Sequence, residues 1–195
     1  MNLKFTNPTG FQFKEIKNAI GNDEMRPAFH YVNIDIEKGY AIATDAHIMV
    51  AYPLVFESKE TDLKQVLLHP NFFNPSRYME VIAKKDFDKI EYVLESEFAT
   101  VLFKGEMVFR TKYVQDVKYP DIWVIMPEKI NRKPISRIGL DRLKMKRICD
   151  LFPLGISNAL EFSFYAENRN VYVESVEPIL CDIKAVIMPV MLPAE

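Results

Sequence analysis

Cysteine, glycine and tryptophan are scarce in this chain of 195 residues, with two, six and one of each. Both cysteines, Cys149 and Cys181, stand among apolar neighbours, so we expect reduced, buried thiols, as in a cytoplasmic protein; a disulfide is the alternative. The opening MNLKFTNPTG has no apolar core and predicts no signal peptide. A membrane span needs about 20 consecutive apolar residues, and no such run occurs, so no membrane partner is expected.

The chain also lacks a strong charge of either sign, because its formal net charge is −2. No overall positive field attracts it to nucleic acid, and any DNA contact would depend on local asymmetry of charge. With 49% hydrophobic and 27% charged residues, the composition is that of an ordinary soluble globular protein. The length suits one large domain, or one domain and a fragment.

Three segments repeat one order of elements: a strand, a helix, then two or three antiparallel strands. The predicted helices cover 11–20, 76–85 after Asn74-Pro75, and 142–152 after Asp141 as N-cap. In the third helix, the side chains expected to face the core are Leu143, Ile148, Leu151 and Phe152. The repeat predicts an α+β architecture built by duplication; a non-repeating α+β domain is the alternative.

A proline-rich and charged stretch, KYPDIWVIMPEKINRKP at 118–134, separates the second and third units. We call this stretch the connector, because its composition is typical of an extended link between packed modules. Two domains are therefore expected, a complete one at 1–129 and a partial one at 130–195.

Three motifs resemble the bacterial DNA polymerase III beta sliding clamp family. Ala43-Thr44-Asp45-Ala46-His47-Ile48-Met49 resembles the clamp's Ala-Thr-Asp-Gly-His-Arg-Leu, KYPDIWVIMP resembles its Phe-Pro-Asp connector, and AVIMPVML resembles its terminal strand. The resemblance implies a DNA-clamp-like α+β fold with helices on one face of antiparallel sheets. It covers one complete middle domain and the second half of the last domain. Three units instead of the usual six per chain could not close a ring as an ordinary dimer.

In clamps the helices line a central hole, so the resemblance implies contact with the phosphate backbone of duplex DNA without sequence specificity. Lysine-rich solvent faces of ordinary helices are the alternative explanation. The basic residues of the predicted helices, and hence the DNA-binding candidates, are Lys14, Lys17, Arg77, Lys84, Lys85, Arg142, Lys144, Lys146 and Arg147.

The resemblance also implies a hydrophobic pocket for short peptide motifs of polymerases and repair factors. Packing of the same residues in core strands is the alternative. The candidates carried over by position are Thr44, Ala46, His47, Ile48, Met49, Pro120, Val124, Ile125, Val186, Ile187, Met188, Pro189 and Val190. Ala46, Ile48 and Met191 replace a glycine and two arginines of the family, so the pocket would be more apolar.

No catalytic or metal site is expected. Asp45 and His47 could share one face of a strand, but no third partner or nucleophile accompanies them. His30, His47 and His69 have no metal-ligand spacing. We expect a tethering protein without a cofactor, self-associating through the exposed edge of its partial domain. A clamp-fold adaptor that binds peptides without encircling DNA, and an unrelated α+β interaction module, are the alternatives.

Overall fold

The computed structural model describes residues 2–6, 13–74, 89–114, 117–126, 138–152, 159–165, 169–176 and 182–191. Strands predominate in these ranges, and the one α-helix there, α1, covers Arg142–Asp150. The strands are β1 Asn2–Thr6, β2 Val32–Asp35, β3 Tyr40–Thr44, β4 Ile48–Pro53, β5 Val55–Glu60, β6 Gln65–Leu68, β7 Ile90–Leu94, β8 Phe98–Phe103, β9 Glu106–Lys112, β10 Leu160–Ser163, β11 Val171–Ser175 and β12 Lys184–Ile187. Short 3-10 helices cover Phe13–Ala19, Pro27–His30, Pro70–Phe73 and Ile122–Ile125.

The strands form two antiparallel sheets. One has five strands in the order β5-β1-β7-β8-β9, and the other has seven in the order β10-β11-β12-β4-β3-β2-β6. The β12–β4 pair, with Val186 opposite Met49, joins the strands of the third unit to those of the first. The strands of the third unit therefore extend the sheet that contains the strands of the first unit.

The 3-10 helices at Phe13–Ala19 and Pro70–Phe73 and α1 cover the main core on one face of the sheets, which we call the helix-bearing face. Ile16 and Ala19, in the 3-10 helix at Phe13–Ala19, are fully buried, as is Ile148 of α1. The Tyr52 hydroxyl of β4 donates a hydrogen bond to the Leu151 carbonyl at the end of α1. This arrangement holds the third unit's helix against the first unit's strands.

A second apolar cluster lies on the opposite face of the seven-stranded sheet. Ile42, Met49 and Val186 belong to it, whereas their strand neighbours point into the main core. The connector covers this face with Tyr119 and Ile122, which are 3% and 4% exposed. Strands β3 and β4 are consequently buried on both faces, and this explains their nearly continuous apolar sequence.

Asp141 caps α1 as predicted, because its Oδ1 accepts hydrogen bonds from the Leu143 and Lys144 N–H groups. Ile148, Leu151 and Phe152 face the core as expected. The prediction for Leu143 is wrong: its side chain is 64% exposed, since it shares the solvent face of the helix with Arg142.

Several other sequence predictions need correction. Cys149 is exposed rather than buried, and Cys181 lies outside the described residues. The first predicted helix is a 3-10 helix, and the second, 76–85, lies outside the described residues. Strand β5, rich in charge, was not predicted; its residues lie at the edge of the five-stranded sheet. No helix in the described ranges is both long and apolar enough to cross a membrane.

Candidate functional site

The three motifs that suggested a peptide site converge in the structure. β4 begins within the first motif and pairs with β12 of the terminal motif, and the Met188 N–H donates to the His47 carbonyl oxygen at 2.8 Å. The connector packs against both motifs, because its Ile122 belongs to the same apolar cluster as Met49 and Val186. Asn170, just before β11, also donates its side-chain amide to the Ile125 carbonyl at 3.0 Å. Segments that lie far apart in sequence thus pack together.

Loop 45–47, between β3 and β4, has an unusual backbone. Ala46 adopts φ of +73°, a left-handed conformation that favours glycine. The loop is held by hydrogen bonds: the Thr44 hydroxyl accepts from the Ala46 N–H at 3.1 Å, and Asp45 Oδ1 accepts from the N–H groups of His47 and Ile48 at 2.9 and 2.8 Å. The strain at Ala46 persists because these bonds fix the residues on both sides.

Asp45 also receives two cations from α1. Its Oδ2 lies 2.6 Å from both Lys144 Nζ and Arg147 Nη1, and its side chain is 7% exposed. Burial alone would raise the pKa of Asp45. The Lys144 hydrogen bond, the Ile48 and His47 N–H groups and the charge of Arg147 outweigh that effect and hold the pKa below its ordinary value.

The predicted peptide-site residues divide by exposure. Thr44, Ile48, Met49, Val186 and Ile187 are all at least 95% buried, so they cannot contact a peptide directly and instead support the surface from beneath. Their burial follows from the covering of β3, β4 and β12 on both faces. The remaining candidates are exposed or half-buried, and we call them together the docking surface, after the role predicted for them: Ala46, His47, Pro120, Val124, Ile125, Met188, Pro189 and Val190.

The connector is fastened beside this surface by Trp123, the only tryptophan of the chain. Its indole Nε1–H donates to Asp35 Oδ2 at 2.8 Å, and its ring packs edge-on against Tyr40. Lys38 Nζ and Lys184 Nζ lie 4.6 and 5.7 Å from the ring centroid. These contacts tie the connector to β2, β3 and β12 together, so they link the first and third units.

The predicted DNA-binding residues are only partly brought together. Lys17, Arg142 and Lys146 are exposed on the helices, and Lys146 forms an ion pair with Asp150 at 2.5 Å. Lys144 and Arg147 turn instead toward Asp45. The Lys14 side chain and residues Arg77, Lys84 and Lys85 lie outside the part of the chain that the structure describes.

Sequence reasoning missed Tyr119, Ile122 and Trp123 as supports of this surface. Asp121 was an available signal: its side chain caps the 3-10 helix at Ile122–Ile125 by accepting from the Trp123 N–H at 3.0 Å. The contacts of Asp45 carried no local signal, because its partners on α1 are 99 and 102 residues away in sequence.

Solved structures of sliding clamps share this fold. The sliding clamp of Bacillus subtilis matches with a TM-score of 0.71 over 99% of this chain, at 14% identity. The beta subunit from DNA polymerase of Streptococcus pyogenes matches with a TM-score of 0.67 over 98%, also at 14% identity. The Pseudomonas aeruginosa clamp bound to griselimycin matches with a TM-score of 0.64 over 98%, at 15% identity. The chain has the sliding-clamp fold.

The match is partial on the clamps' side. The chain spans 65% of the Bacillus subtilis clamp and 66% of the other two. No protein-family model matches the chain, and no curated protein matches its sequence. Within the described ranges, no group of three or more histidine, cysteine, aspartate or glutamate side chains could hold a metal ion. The structure shows the sliding-clamp fold. Identity of 14–15% to the solved clamps does not establish the function.

Proposed function

We propose that this clamp-like chain is a cytoplasmic tethering protein in DNA replication or repair. It binds duplex DNA without sequence specificity through its helix-bearing face, and it docks a polymerase or repair factor through the docking surface. The observation that carries the proposal is the packing of three distant segments in one apolar cluster, which includes Met49, Ile122 and Val186, in a chain with the sliding-clamp fold.

The composition of the docking surface suits an apolar peptide. Val124, Met188 and Val190 are 77%, 40% and 43% exposed, and Met191 next to them is 80% exposed. Flexible methionine and branched aliphatic side chains can adapt to several partners. Exposed apolar side chains that cluster at one place are typical of protein-binding sites.

Griselimycin is a practical probe of this surface, because it is bound to the P. aeruginosa clamp. We expect it to bind the chain, and Met188→Glu to weaken binding by at least about tenfold by placing a charge in an apolar contact. Met107→Glu is the matched control, since Met107 is 63% exposed on β9, in the other sheet. Equal affinities of the two variants would contradict docking at this surface.

DNA binding is tested by fluorescence anisotropy with two duplexes of equal length and unrelated sequence. Phosphate contacts made by Lys17, Arg142 and Lys146 would give equal affinities for the two duplexes. They would also give a decline of log K against log salt with a slope of about −0.9 per phosphate contact. A strong preference for one duplex would contradict the proposal, and so would an affinity that salt does not change.

A clamp-fold adaptor that binds peptides without encircling DNA is the second candidate. The pairing of Lys144 and Arg147 with Asp45 favours it, because two of the four basic residues of α1 are then turned from solvent. The adaptor would bind griselimycin while showing no salt-sensitive affinity for either duplex.

Self-association is part of the proposal. Strand β10 lies at the end of the seven-stranded sheet, an edge position at which a strand of another chain could pair. Light scattering coupled to size-exclusion chromatography should give a mass above that of one 22.7 kDa chain. A monodisperse monomer at high concentration would rule out association through this edge.

A further inference from the structure

We propose that Lys144 and Arg147 are positioning residues of the docking surface: acting through Asp45, they hold loop 45–47 in place and do not contact DNA. This inference rests on the proposed function for the role of the docking surface. It assigns opposite tasks to the two sides of α1, because Arg142 and Lys146 on its solvent side remain the residues that would face phosphates.

The two carboxylate oxygens of Asp45 have separate partners. Oδ1 accepts from the backbone N–H groups of His47 and Ile48 and so shapes the loop. Oδ2 accepts from Lys144 Nζ and Arg147 Nη1 and so joins the loop to α1. One side chain therefore connects the loop's backbone to a helix that is remote from it in sequence.

Neither cation is free to move to a phosphate. The side chains of Lys144 and Arg147 are 26% and 31% exposed, whereas that of Lys146 is 72% exposed. Arg147 also donates its Nε–H to the Asn18 carbonyl oxygen at 2.7 Å. Withdrawing Arg147 would leave a nearly buried carboxylate short of one cation and this carbonyl without its donor, and both changes are unfavourable.

The loop passes this restraint to the docking surface. His47, itself exposed on that surface, accepts the Met188 N–H through its carbonyl oxygen, and Met188 is 40% exposed beside it. Ala46 between Asp45 and His47 is in a strained conformation that only a well-held loop maintains. The path from α1 through Asp45 to Met188 thus consists of hydrogen bonds between residues in direct contact.

Amide hydrogen exchange of the full chain measures the restraint directly. In Arg147→Met and Lys144→Met we expect the amides of Ile48 and Met188 to exchange about tenfold faster, which corresponds to easier local opening. Lys146→Met on the same helix is the matched control and should leave them unchanged. The amides of β8, in the other sheet, should be unchanged in every variant, so that a general loss of stability is recognised.

Two further variants separate the contributions. Asp45→Asn keeps a side-chain oxygen that can accept from the loop amides but removes the charge that attracts the cations, and we expect it to match Arg147→Met. Arg147→Lys retains the charge and should restore most of the protection. Unchanged exchange at Ile48 and Met188 in both Arg147→Met and Asp45→Asn would overturn the inference.

The DNA assay provides the second arm, with the same two duplexes. Arg142→Met should lower the magnitude of the salt slope by about 0.9, whereas Arg147→Met should leave it unchanged. An equal fall for Arg147→Met would overturn the inference, because it would make Arg147 a phosphate contact. If the wild-type chain binds neither DNA nor griselimycin, the proposed function fails, and the exchange data alone decide whether Lys144 and Arg147 position the loop.

Discussion

Replacing Trp123 by phenylalanine is expected to loosen the connector from the seven-stranded sheet. The substitution keeps an aromatic ring against Tyr40 but removes the indole N–H that Asp35 Oδ2 accepts at 2.8 Å. It also shrinks the ring that lies between Lys38 and Lys184. Phenylalanine therefore weakens polar and electrostatic interactions of the connector, while most of its apolar packing remains.

The magnitude follows from these interactions. A hydrogen bond to a charged group contributes about 1.5–3 kcal/mol, and a cation–π contact at an exposed site about 0.5–1 kcal/mol. Trp123 and Asp35 are only half-buried, so the hydrogen bond lies at the low end of its range, and phenylalanine keeps part of the cation–π attraction. We therefore expect Trp123→Phe to lower the free energy of unfolding by about 1–2 kcal/mol.

Urea unfolding followed by far-UV circular dichroism measures this loss, since the variant has no tryptophan fluorescence. For an m value of about 2 kcal/mol/M, the midpoint should fall by roughly 0.5–1 M. Asp35→Asn keeps an oxygen acceptor without the charge, so its urea midpoint should fall by less than the midpoint of Trp123→Phe. A Trp123→Phe midpoint equal to that of the wild type would contradict a stabilising role of the indole N–H and would mean that apolar packing alone holds the connector.

Three further predictions concern the loop and α1. Ala46→Gly should raise the free energy of unfolding by about 0.5–1 kcal/mol in urea titrations, because relief of left-handed strain exceeds the added entropy of the unfolded chain; a destabilised variant would contradict this. Asp45 has a lowered pKa, so its stabilising effect is complete above about pH 4 and is lost as pH falls through its folded pKa. Thermal melts should show stability decreasing below about pH 4, and the decrease should be less steep in Asp45→Asn than in the wild type. Equal acid dependence of the wild type and Asp45→Asn would contradict a stabilising role of the Asp45 carboxylate. Ile148→Ala, which empties a fully buried site, should cost about 2–5 kcal/mol, while Leu143→Ala on the exposed side of α1 should change stability by under about 0.5 kcal/mol; similar losses would contradict the assignment of faces.

Much of the fold could be predicted from the sequence because its signals are local. Alternating or continuous apolar runs marked most strands, and Asp141 marked the start of α1. The failures have physical reasons. Strand β5 lies at a sheet edge, where charged side chains are common, and it carries Glu57 and Lys59. It therefore lacks an apolar pattern. Leu143 has an apolar side chain at a solvent-facing position, and periodicity in so short a helix could not exclude it.

The candidate site was predictable in part. The motifs with Ala46, Met188 and the connector were expected to meet, and residues of all three pack together in the structure, while peptide binding by them stays a prediction. Which of their side chains reach the surface was not predictable, because that depends on the second apolar cluster beneath the connector. The pairing of Asp45 with α1 was equally hidden, since long-range ion pairs have no signature in sequence spacing.

The most direct test of DNA tethering by the helix-bearing face is a comparison of two charge-reversed proteins in the duplex-binding assay. One carries Lys17→Glu, Arg142→Glu and Lys146→Glu on the helices. The other carries the same change of charge at Lys59, Lys104 and Lys112, exposed residues on or between strands of the five-stranded sheet. The first protein should lose measurable binding at low salt, while the second should keep most of the wild-type affinity. Equal losses in both proteins, or binding that survives in the first, would contradict it.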